Sequence, residues 1–376
     1  MLRRRLIQAA ALAGTIPLPA LAEESGDIVV AQIGPFTVLP APDPKELNEG
    51  LVAAFDEINA KGGINGRKVQ LLKLDDAYSF DGFKARLAEV MVRKPVALLA
   101  PLGSATLKAL LDSKLLDSTD ITILNAVPGA GVLRDPGHPK FFHIRAGDAQ
   151  QIQKIVSHAR ALSIKSMGVM FQDLPIGSSG LASAKAAAAA DGGGLQIVES
   201  KAGTDAASIA QAAKAIATAA PQSALVVGAP KFVGESIAAL RAAGVSQMIF
   251  TLSYLPPSAL QKFAGQGARG VGIAQTYPNP AGVTLPLQRA FKAAMQATHP
   301  TMTTHTSFHM EGYVTARVFA EAARRARPLT PSGLADALRR MGEIDLGGFR
   351  VNFAKSNVGS SWVDIGVVNA DARLVY

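Results

Sequence analysis

One stretch decides the fold expected for this chain: Glu57-Ile58-Asn59-Ala60-Lys61-Gly62-Gly63-Ile64-Asn65-Gly66-Arg67-Lys68-Val69, followed by Leu74-Asp75-Asp76. Its first residues carry an apolar helix face, and Gly62-Gly63 predict the helix end, because glycine adopts the left-handed backbone at little cost. Asn65-Gly66 is typical of a tight turn. Residues 69–74 then predict a strand that ends at two acids. Helix, turn and strand together make one α/β unit.

Short apolar runs alternate with helix-like runs along nearly the whole chain. The predicted strands are residues 28–33, 96–100, 121–124, 167–171, 195–198, 224–227, 248–251 and 271–274. Continuous apolar runs of this length are typical of parallel sheets covered on both faces. The predicted helices include residues 47–59, 105–116 and 181–190. With a length of 376 residues, the pattern predicts an α/β protein with two doubly wound, Rossmann-like lobes.

The first 22 residues predict a cleaved signal peptide. Three arginines at positions 3–5 precede an apolar run over residues 6–21, and Ala20-Leu21-Ala22 is typical of a cleavage site. A membrane anchor is the alternative, but the run is short and is broken by Pro17 and Pro19. We therefore expect export with cleavage after Ala22, by either the general or the twin-arginine route.

Composition excludes several classes of function. The chain has no cysteine, which excludes thiol catalysis, thiolate zinc sites and iron–sulfur clusters. The formal net charge of +9 falls to +6 once the three signal-peptide arginines are removed. No dense basic stretch with interleaved aromatics is present, so no nucleic-acid partner is expected.

Motifs for catalysis are weak. No Gly-x-Ser-x-Gly elbow and no phosphate-binding loop occur in the sequence. His305 and His309 are four residues apart, but no His-Glu-x-x-His pattern joins them. Adjacent Asp75 and Asp76 would point to opposite sides of a strand end, which favours a structural role. We therefore expect neither an enzyme nor a bound cofactor or metal.

The stretch 58–76, with INAKGGINGRKV followed by two acids, resembles the periplasmic leucine/isoleucine/valine-binding protein family, the solute receptors of ABC importers. The order of the later segments resembles it too: residues 269–278, 312–326, 347–353 and 362–368. The resemblance implies two lobes joined by a three-strand hinge. It places residues 27–145 with 275–353 in lobe 1, and residues 146–274 with 354–376 in lobe 2. It also implies a monomer in the periplasm that docks on membrane permease subunits.

Two loops of lobe 1 are the first candidate ligand site, because ligands of open α/β sheets bind beyond the carboxyl ends of strands. In residues 100–106 we expect Ser104 to cap a helix and the amides of Ser104, Ala105 and Thr106 to receive a carboxylate; a plain helix cap is the alternative. The resemblance matches Ser104 to the serine that holds the substrate carboxylate. In residues 125–131, it puts Val127 and Gly129 at positions that hold amine and carboxylate, although the family's hydroxyl is missing.

Four further residues complete the predicted site. Phe36 lines either the mouth of the cleft or the core of lobe 1. In lobe 2 the candidates are Ile176, Lys231 and Tyr254. Lys231 either meets a second carboxylate of the ligand or remains a surface lysine.

Lobe 2 departs from the leucine-type receptors in two places. Ile176 stands where they have a tyrosine, and residues 251–254 lack the glutamate that pairs with the substrate ammonium. A buried ammonium without a counter-charge costs several kcal/mol. The ligand is therefore either an amino acid of branched-chain type met by another acid, or an aromatic or aliphatic carboxylate without an amine. A ligand sensor without a transport role has the same sequence features and stays open.

Overall fold

A computed structural model describes residues 26–38, 44–190 and 194–376. The predicted signal peptide lies outside these residues. Within them, no helix combines the length and the apolar character needed to span a membrane.

The described part of the chain alternates strands and helices. Its strands are β1 (Ile28–Gly34), β2 (Val69–Asp75), β3 (Ala97–Leu99), β4 (Thr122–Leu124), β5 (Phe141–Phe142), β6 (Ser166–Gln172), β7 (Gln196–Ala202), β8 (Ser223–Val227), β9 (Met248–Thr251), β10 (Gly272–Gln275), β11 (Ile344–Asp345), β12 (Arg350–Val351), β13 (Asp364–Val368) and β14 (Leu374–Val375). Its α-helices are α1 (Pro44–Ala60), α2 (Phe80–Met91), α3 (Ser104–Asp112), α4 (Leu115–Ser118), α5 (Asp148–Ala161), α6 (Pro175–Ala189), α7 (Ala206–Ala219), α8 (Pro230–Ala242), α9 (Pro257–Ala264), α10 (Pro286–Thr298), α11 (Ser307–Arg325) and α12 (Pro331–Arg340).

The helix, turn and strand predicted from the first stretch are confirmed as α1, a two-residue turn and β2. The Ile64 amide donates to the Arg67 carbonyl at 2.8 Å, and the Arg67 amide donates back at 3.1 Å. Both central residues have positive φ, 50° at Asn65 and 81° at Gly66, as this hairpin turn requires. A Cβ at Gly63 would lie 2.0 Å from the Arg67 carbonyl oxygen, so only glycine fits there.

The first sheet has five parallel strands in the order β2-β1-β3-β4-β5. Helices cover both of its faces. Ile28 and Val30 of β1 belong to a core with α1, α10 and α11, while Ala31 and Ile33 belong to a core with α2 and α3. This burial on both faces explains the continuous apolar runs of the sequence.

The second sheet has seven strands in the order β14-β13-β10-β9-β8-β6-β7. Strands β6 to β10 pair in parallel, whereas β13 is antiparallel to both β10 and β14. The chain passes between the two sheets three times: between β5 and β6, after β10, and between β12 and β13. The predicted α/β class with two doubly wound lobes is confirmed. The residue limits given for the lobes stay a prediction.

Two elements differ from the sequence prediction. The helix expected over residues 105–116 is divided into α3 and α4, because Lys114 adopts a left-handed backbone with φ of 55°. The strand expected within residues 347–353 is reduced to Arg350–Val351, and its pairing partner among the described strands is β11. Gly347 and Gly348, with φ of 97° and 100°, form the turn before it.

Candidate functional site

The two predicted loops of lobe 1 lie side by side at one edge of the first sheet. Strand β3 leads into residues 100–103 and β4 into residues 125–131, and these strands are hydrogen-bonded neighbours. The Val127 amide donates to the Pro101 carbonyl at 3.1 Å, which ties one loop to the other. The loop that leads into α3 and the loop that contains the buried Val127 are therefore adjacent.

The start of α3 differs in one detail from the prediction. Gly103, with φ of 110°, is the N-cap residue, and no side chain caps the helix. Ser104 is instead the first helical residue; it is exposed, as is Ala105, whereas Thr106 is only 4% exposed. The first amides of a helix have no partner within the helix, so this end can receive an anionic or carbonyl oxygen.

Tyr78 is a neighbour of this loop that the sequence analysis missed. A Cβ at Gly103 would lie 3.2 Å from Cε2 of its ring. The Tyr78 amide donates to Oδ1 of Asp76 at 2.9 Å, which holds Tyr78 in a left-handed backbone with φ of 55°. Tyr78 is 46% exposed, as a residue on the wall of an open cleft would be.

Phe36 is half-buried where β1 ends. Its amide donates to Oδ1 of Asp75 at 2.8 Å, and the hydroxyl of Thr37 donates to Oδ2 at 2.7 Å. Lys73 Nζ lies 5.3 Å from the centre of the Phe36 ring. Asp75 therefore organises the loop that carries Phe36, and the structural role expected for this acid is confirmed.

Gly129 and Tyr254, predicted on opposite lobes, are in direct contact. The Gly129 amide donates to the Tyr254 hydroxyl at 2.7 Å. That hydroxyl in turn donates to Oδ1 of Asp148 at 2.5 Å. A Cβ at Gly129 would lie 2.2 Å from the Asp148 oxygen and 2.6 Å from the Tyr254 oxygen. Glycine is therefore required where the two lobes meet.

The other two candidates of lobe 2 follow β6 and β8 at the carboxyl edge of the second sheet. Ile176 is half-buried in the first turn of α6. Lys231 has a side chain 72% exposed and lies 3.7 Å from Glu235 in a surface ion pair. Asp173 likewise pairs with Lys201 at 3.2 Å on the surface. The structure therefore joins Gly129 to Tyr254 directly, and it gives Lys231 and both nearby acids surface partners.

A buried charged group that the sequence analysis missed lies beside Tyr254. Arg145 is 1% exposed and pairs with Glu311 at 3.0 Å. Its guanidinium also donates to the Ser253 hydroxyl and lies 5.1 Å from the centre of the Tyr254 ring. Arg145 thus contacts a helix of lobe 1 and a loop of lobe 2 at once.

Burial shifts the ionisation of the acids at this lobe junction. It raises the pKa of Asp148, against the opposing effects of the Tyr254 hydroxyl and the guanidiniums of Arg134 and Arg145. Burial also raises the pKa of Glu311, which Arg145 opposes. The pKa of Tyr254 is raised far above its usual value, mainly by burial. Tyr254 therefore stays protonated and serves as donor and acceptor together.

Metal binding has no support among the residues described. No group of three His, Cys, Asp or Glu side chains is arranged to hold a metal ion in that part of the chain. His305 and His309 have ring centres 5.8 Å apart. His309 Nδ1 accepts from the Thr306 amide at 3.0 Å, and its Nε2 lies 3.2 Å from a Glu49 oxygen, so both ring nitrogens have protein partners.

Comparison with known proteins gives consistent matches. The sequence model described as periplasmic binding protein matches residues 27–371. The crystal structure of an extracellular ligand-binding receptor from Verminephrobacter eiseniae is similar over 93% of this chain and 100% of that chain, with a TM-score of 0.88 and 46% identity. A substrate-binding periplasmic protein from Ralstonia solanacearum is similar over 93% of this chain and 99% of that chain, with a TM-score of 0.80 and 27% identity.

A curated relative matches only locally. An amino acid binding protein from Pseudomonas aeruginosa is 43% identical over 51 residues, which is 14% of this chain and 14% of that protein.

Proposed function

We propose that this chain, which belongs to the periplasmic binding protein family, captures a small organic acid between its two lobes. As a member of that family it is a solute-binding receptor and not an enzyme. We further propose that it is exported with a signal peptide that is cleaved after Ala22, acts as a monomer in the periplasm, and delivers its ligand to the permease subunits of an ABC importer. A sensor that reports the ligand without transporting it would use the same site.

The hydrogen bond from Gly129 to Tyr254 carries this proposal. Gly129 follows β4 of the first sheet and Tyr254 follows β9 of the second, so the bond joins loops at the carboxyl ends of strands in both sheets. Ligands of open α/β sheets bind at this end of the strands. A solute held there would touch both lobes and would favour their closed arrangement.

The first candidate ligand is an amino acid of branched-chain type or a close analogue. Its support is the amino acid binding protein that matches a short part of the chain, together with the free helix end at Ser104. A carboxylate at a helix N-terminus gains about 0.3–1 kcal/mol, or up to about 2 when partly buried. Each charge-assisted hydrogen bond from an amide adds about 1.5–3 kcal/mol.

The second candidate is a carboxylate without an amine, and one observation favours it. Of the acids considered in lobe 2, Asp173 and Glu235 have surface partners. Asp148 does face Gly129, but it already accepts from Tyr254, and the guanidiniums of Arg134 and Arg145 act on it. An ammonium would compete with those positive groups for a single carboxylate.

A thermal-shift screen of residues 23–376 tests the proposal. The panel sets leucine, isoleucine, valine and other amino acids beside amine-free aromatic and aliphatic acids. A ligand present at about 100 times its dissociation constant adds about 2.7 kcal/mol, which raises the melting temperature by a few degrees. We expect at least one acid to do so. A panel without any shift would contradict the proposal.

Ser104→Pro locates the site within the fold. Proline is tolerated at the first helical position, so this change removes the amide and the hydroxyl of Ser104 while α3 is retained. We expect the ligand-induced shift to fall sharply, with the melting temperature of the free protein little changed. Ala206→Pro, at the first position of α7 and also exposed, is the matched control. Equal shifts in the two variants would place the ligand elsewhere.

A further inference from the structure

Four buried side-chain nitrogens near the meeting of the two lobes have no hydrogen-bond partner among the residues that the structure describes. They are Nε and Nη2 of Arg134, Nε of Arg145 and Nε2 of Gln151. Arg145 is 1% exposed and Gln151 is fully buried. All four nitrogens are donors, and a buried donor left unpaired costs about 1–3 kcal/mol. Donors therefore outnumber acceptors among the unpaired groups near the crossings between the lobes, where Oε1 of Gln275 is an unpaired acceptor.

The side chains that carry these nitrogens are held in one connected group. Arg134 Nη1 donates to the Arg145 carbonyl at 3.0 Å. The Gln151 side-chain oxygen accepts from the Ser253 amide at 3.0 Å, and Ser253 accepts from Arg145 through its hydroxyl. The unpaired donors are thus fixed in place by their own neighbours, and a ligand would meet a prearranged set.

Arg134 has the donor arrangement that pairs with a carboxylate. Its Nη1 is anchored, which leaves Nε and Nη2, the two nitrogens on one edge of the guanidinium, without partners. Parallel N–H groups on that edge bind the two oxygens of a carboxylate together. A Cβ at Gly147 would lie 3.2 Å from Arg134 Nε, and Gly147 is the N-cap of α5. The positive end of this helix adds to the attraction for an anion.

Two acids lie at the same junction. Glu311 is paired with Arg145 and also accepts from the Asn125 amide group at 3.1 Å. Asp148 accepts from Tyr254 and would face an incoming anion next to Arg134. The carboxylate of either ligand class offers acceptors to these nitrogens, but an α-ammonium adds only further donors, whereas a 2-oxo group adds a further acceptor.

We propose that Arg134 is a specificity-determining residue of this receptor: its free edge binds the carboxylate of the ligand. Because the nearby acid Asp148 already accepts from Tyr254, the preferred ligands are acids without an α-ammonium, such as 2-oxo acids. This inference rests on the proposed function and selects one of its two ligand classes. The amides at the start of α3 then receive the second acceptor of the ligand, a carbonyl, a hydroxyl or another carboxylate.

Calorimetric titration with matched probes tests this on the unmodified mature chain. Each pair shares one carbon skeleton: leucine with 4-methyl-2-oxopentanoate, phenylalanine with phenylpyruvate, and glutamate with 2-oxoglutarate. We expect the oxo acid of at least one pair to bind roughly tenfold more tightly than its amino acid, or more. Tighter binding of the amino acids would overturn the inference while leaving the proposed function standing. No binding by any probe would contradict both.

Three variants separate recognition from structure. Arg134→Lys keeps the positive charge but loses the pair of parallel N–H groups. It should therefore weaken the binding of the oxo acid roughly 10- to 100-fold, the effect of losing one charge-assisted hydrogen bond. Asp148→Asn still accepts from Tyr254 but removes a negative charge beside the bound carboxylate, so it should tighten oxo-acid binding several-fold. Arg289→Lys is the matched control, because Arg289 is an arginine anchored on the Val283 and Thr284 carbonyls in an exposed setting.

Opposite results would identify a different role for the same residues. Loss of amino-acid binding in Asp148→Asn, with Arg134→Lys behaving like the control, would make Asp148 the partner of an ammonium and Arg134 a structural residue. The melting temperature of each free variant shows whether it folds. If Arg134→Lys does not fold, the matched probes and Asp148→Asn still decide the question.

Discussion

Tyr254 uses its hydroxyl twice, as acceptor from Gly129 and as donor to Asp148. Tyr254→Phe removes both bonds and leaves a buried amide and a buried acid without that partner. We expect the free energy of unfolding to fall by about 1–3 kcal/mol, measured by urea denaturation. Tyr78→Phe is the control, since that residue is 46% exposed. If the free energy of unfolding falls by the same small amount in both variants, the contact between the lobes adds little stability.

His309 makes stability depend on pH. Burial, together with the neighbouring His305 and His299, lowers the pKa of His309 to about 3. In the unfolded chain histidine has a pKa of about 6.5. The unfolded state therefore binds the proton first, so this contribution is complete above about pH 6.5 and is lost as the pH falls toward 3. Each pH unit in that window costs up to about 1.4 kcal/mol.

The test compares unfolding free energies at about pH 7 and pH 5 in the unmodified protein and in His309→Gln. Removing this titration should reduce the loss between the two pH values by about 2 kcal/mol. His138→Gln is the control, because His138 lies in a partly exposed pair with Asp117. Parallel pH profiles for all three proteins would show that His309 does not titrate in this way.

Individual residues were only partly predictable from the sequence. Gly129 and Tyr254 lie in loops that follow recognisable strands, and the resemblance to a known family singled out Gly129; their part in ligand binding stays a prediction. Arg145 and Asp148 were missed because their partners, Glu311 and Tyr254, are 166 and 106 residues away in the chain. Hydrogen bonds over such separations leave no local pattern. The available signal was a pair of charges, close together, at a predicted crossing between lobes.

At the scale of elements, α1 and α11 pack more closely than ordinary side chains allow. A Cβ at Gly50 would lie 2.0 Å from the His309 carbonyl oxygen, and one at Gly312 would lie 2.1 Å from the Leu47 carbonyl oxygen. Gly50→Ala gains up to about 1 kcal/mol of helix propensity. It must also separate two backbones, which costs about 1–3 kcal/mol or more.

We therefore expect Gly50→Ala to lower the melting temperature despite its better helix propensity, as measured by thermal unfolding. Gly131→Ala is the control, because nothing lies within 4 Å of a Cβ placed there and the backbone is ordinary. A melting temperature that rises in Gly50→Ala would show that the two helices can separate without cost.

Strands and helices were predictable where apolar residues follow one another without interruption. They were less predictable where apolar and polar residues are mixed. The inner strands of both sheets, such as β6 and β8, were recognised because burial on two faces makes them almost continuously apolar. Helix α10 was not singled out, although Leu287, Phe291 and Met295 are buried at helical spacing. The break after α3 could not be foreseen, because the left-handed backbone falls on Lys114, a residue with no preference for it.

In the part of the chain that the structure describes, the chain crosses three times between two large sheets, and loops of the two sheets touch at Tyr254. The order of the elements followed from the sequence and from its resemblance to a known family. The contact between the lobes did not, since it depends on how two separately folded sheets are oriented. The effect of a ligand is a property of the whole molecule, because a solute shifts the balance between the open and the closed arrangement of the lobes only through its higher affinity for one arrangement.

The distance between the lobes, measured by pulsed electron spin resonance, is the most direct test of a ligand held between them. The chain has no cysteine, so Asp112→Cys on α3 and Ala186→Cys on α6, both at exposed positions, can carry the only two spin labels. With the acid that gives the largest thermal shift, we expect a broad distance distribution to narrow into a single closed population. A distribution that stays unchanged while calorimetry shows saturation would mean that the ligand binds outside the cleft.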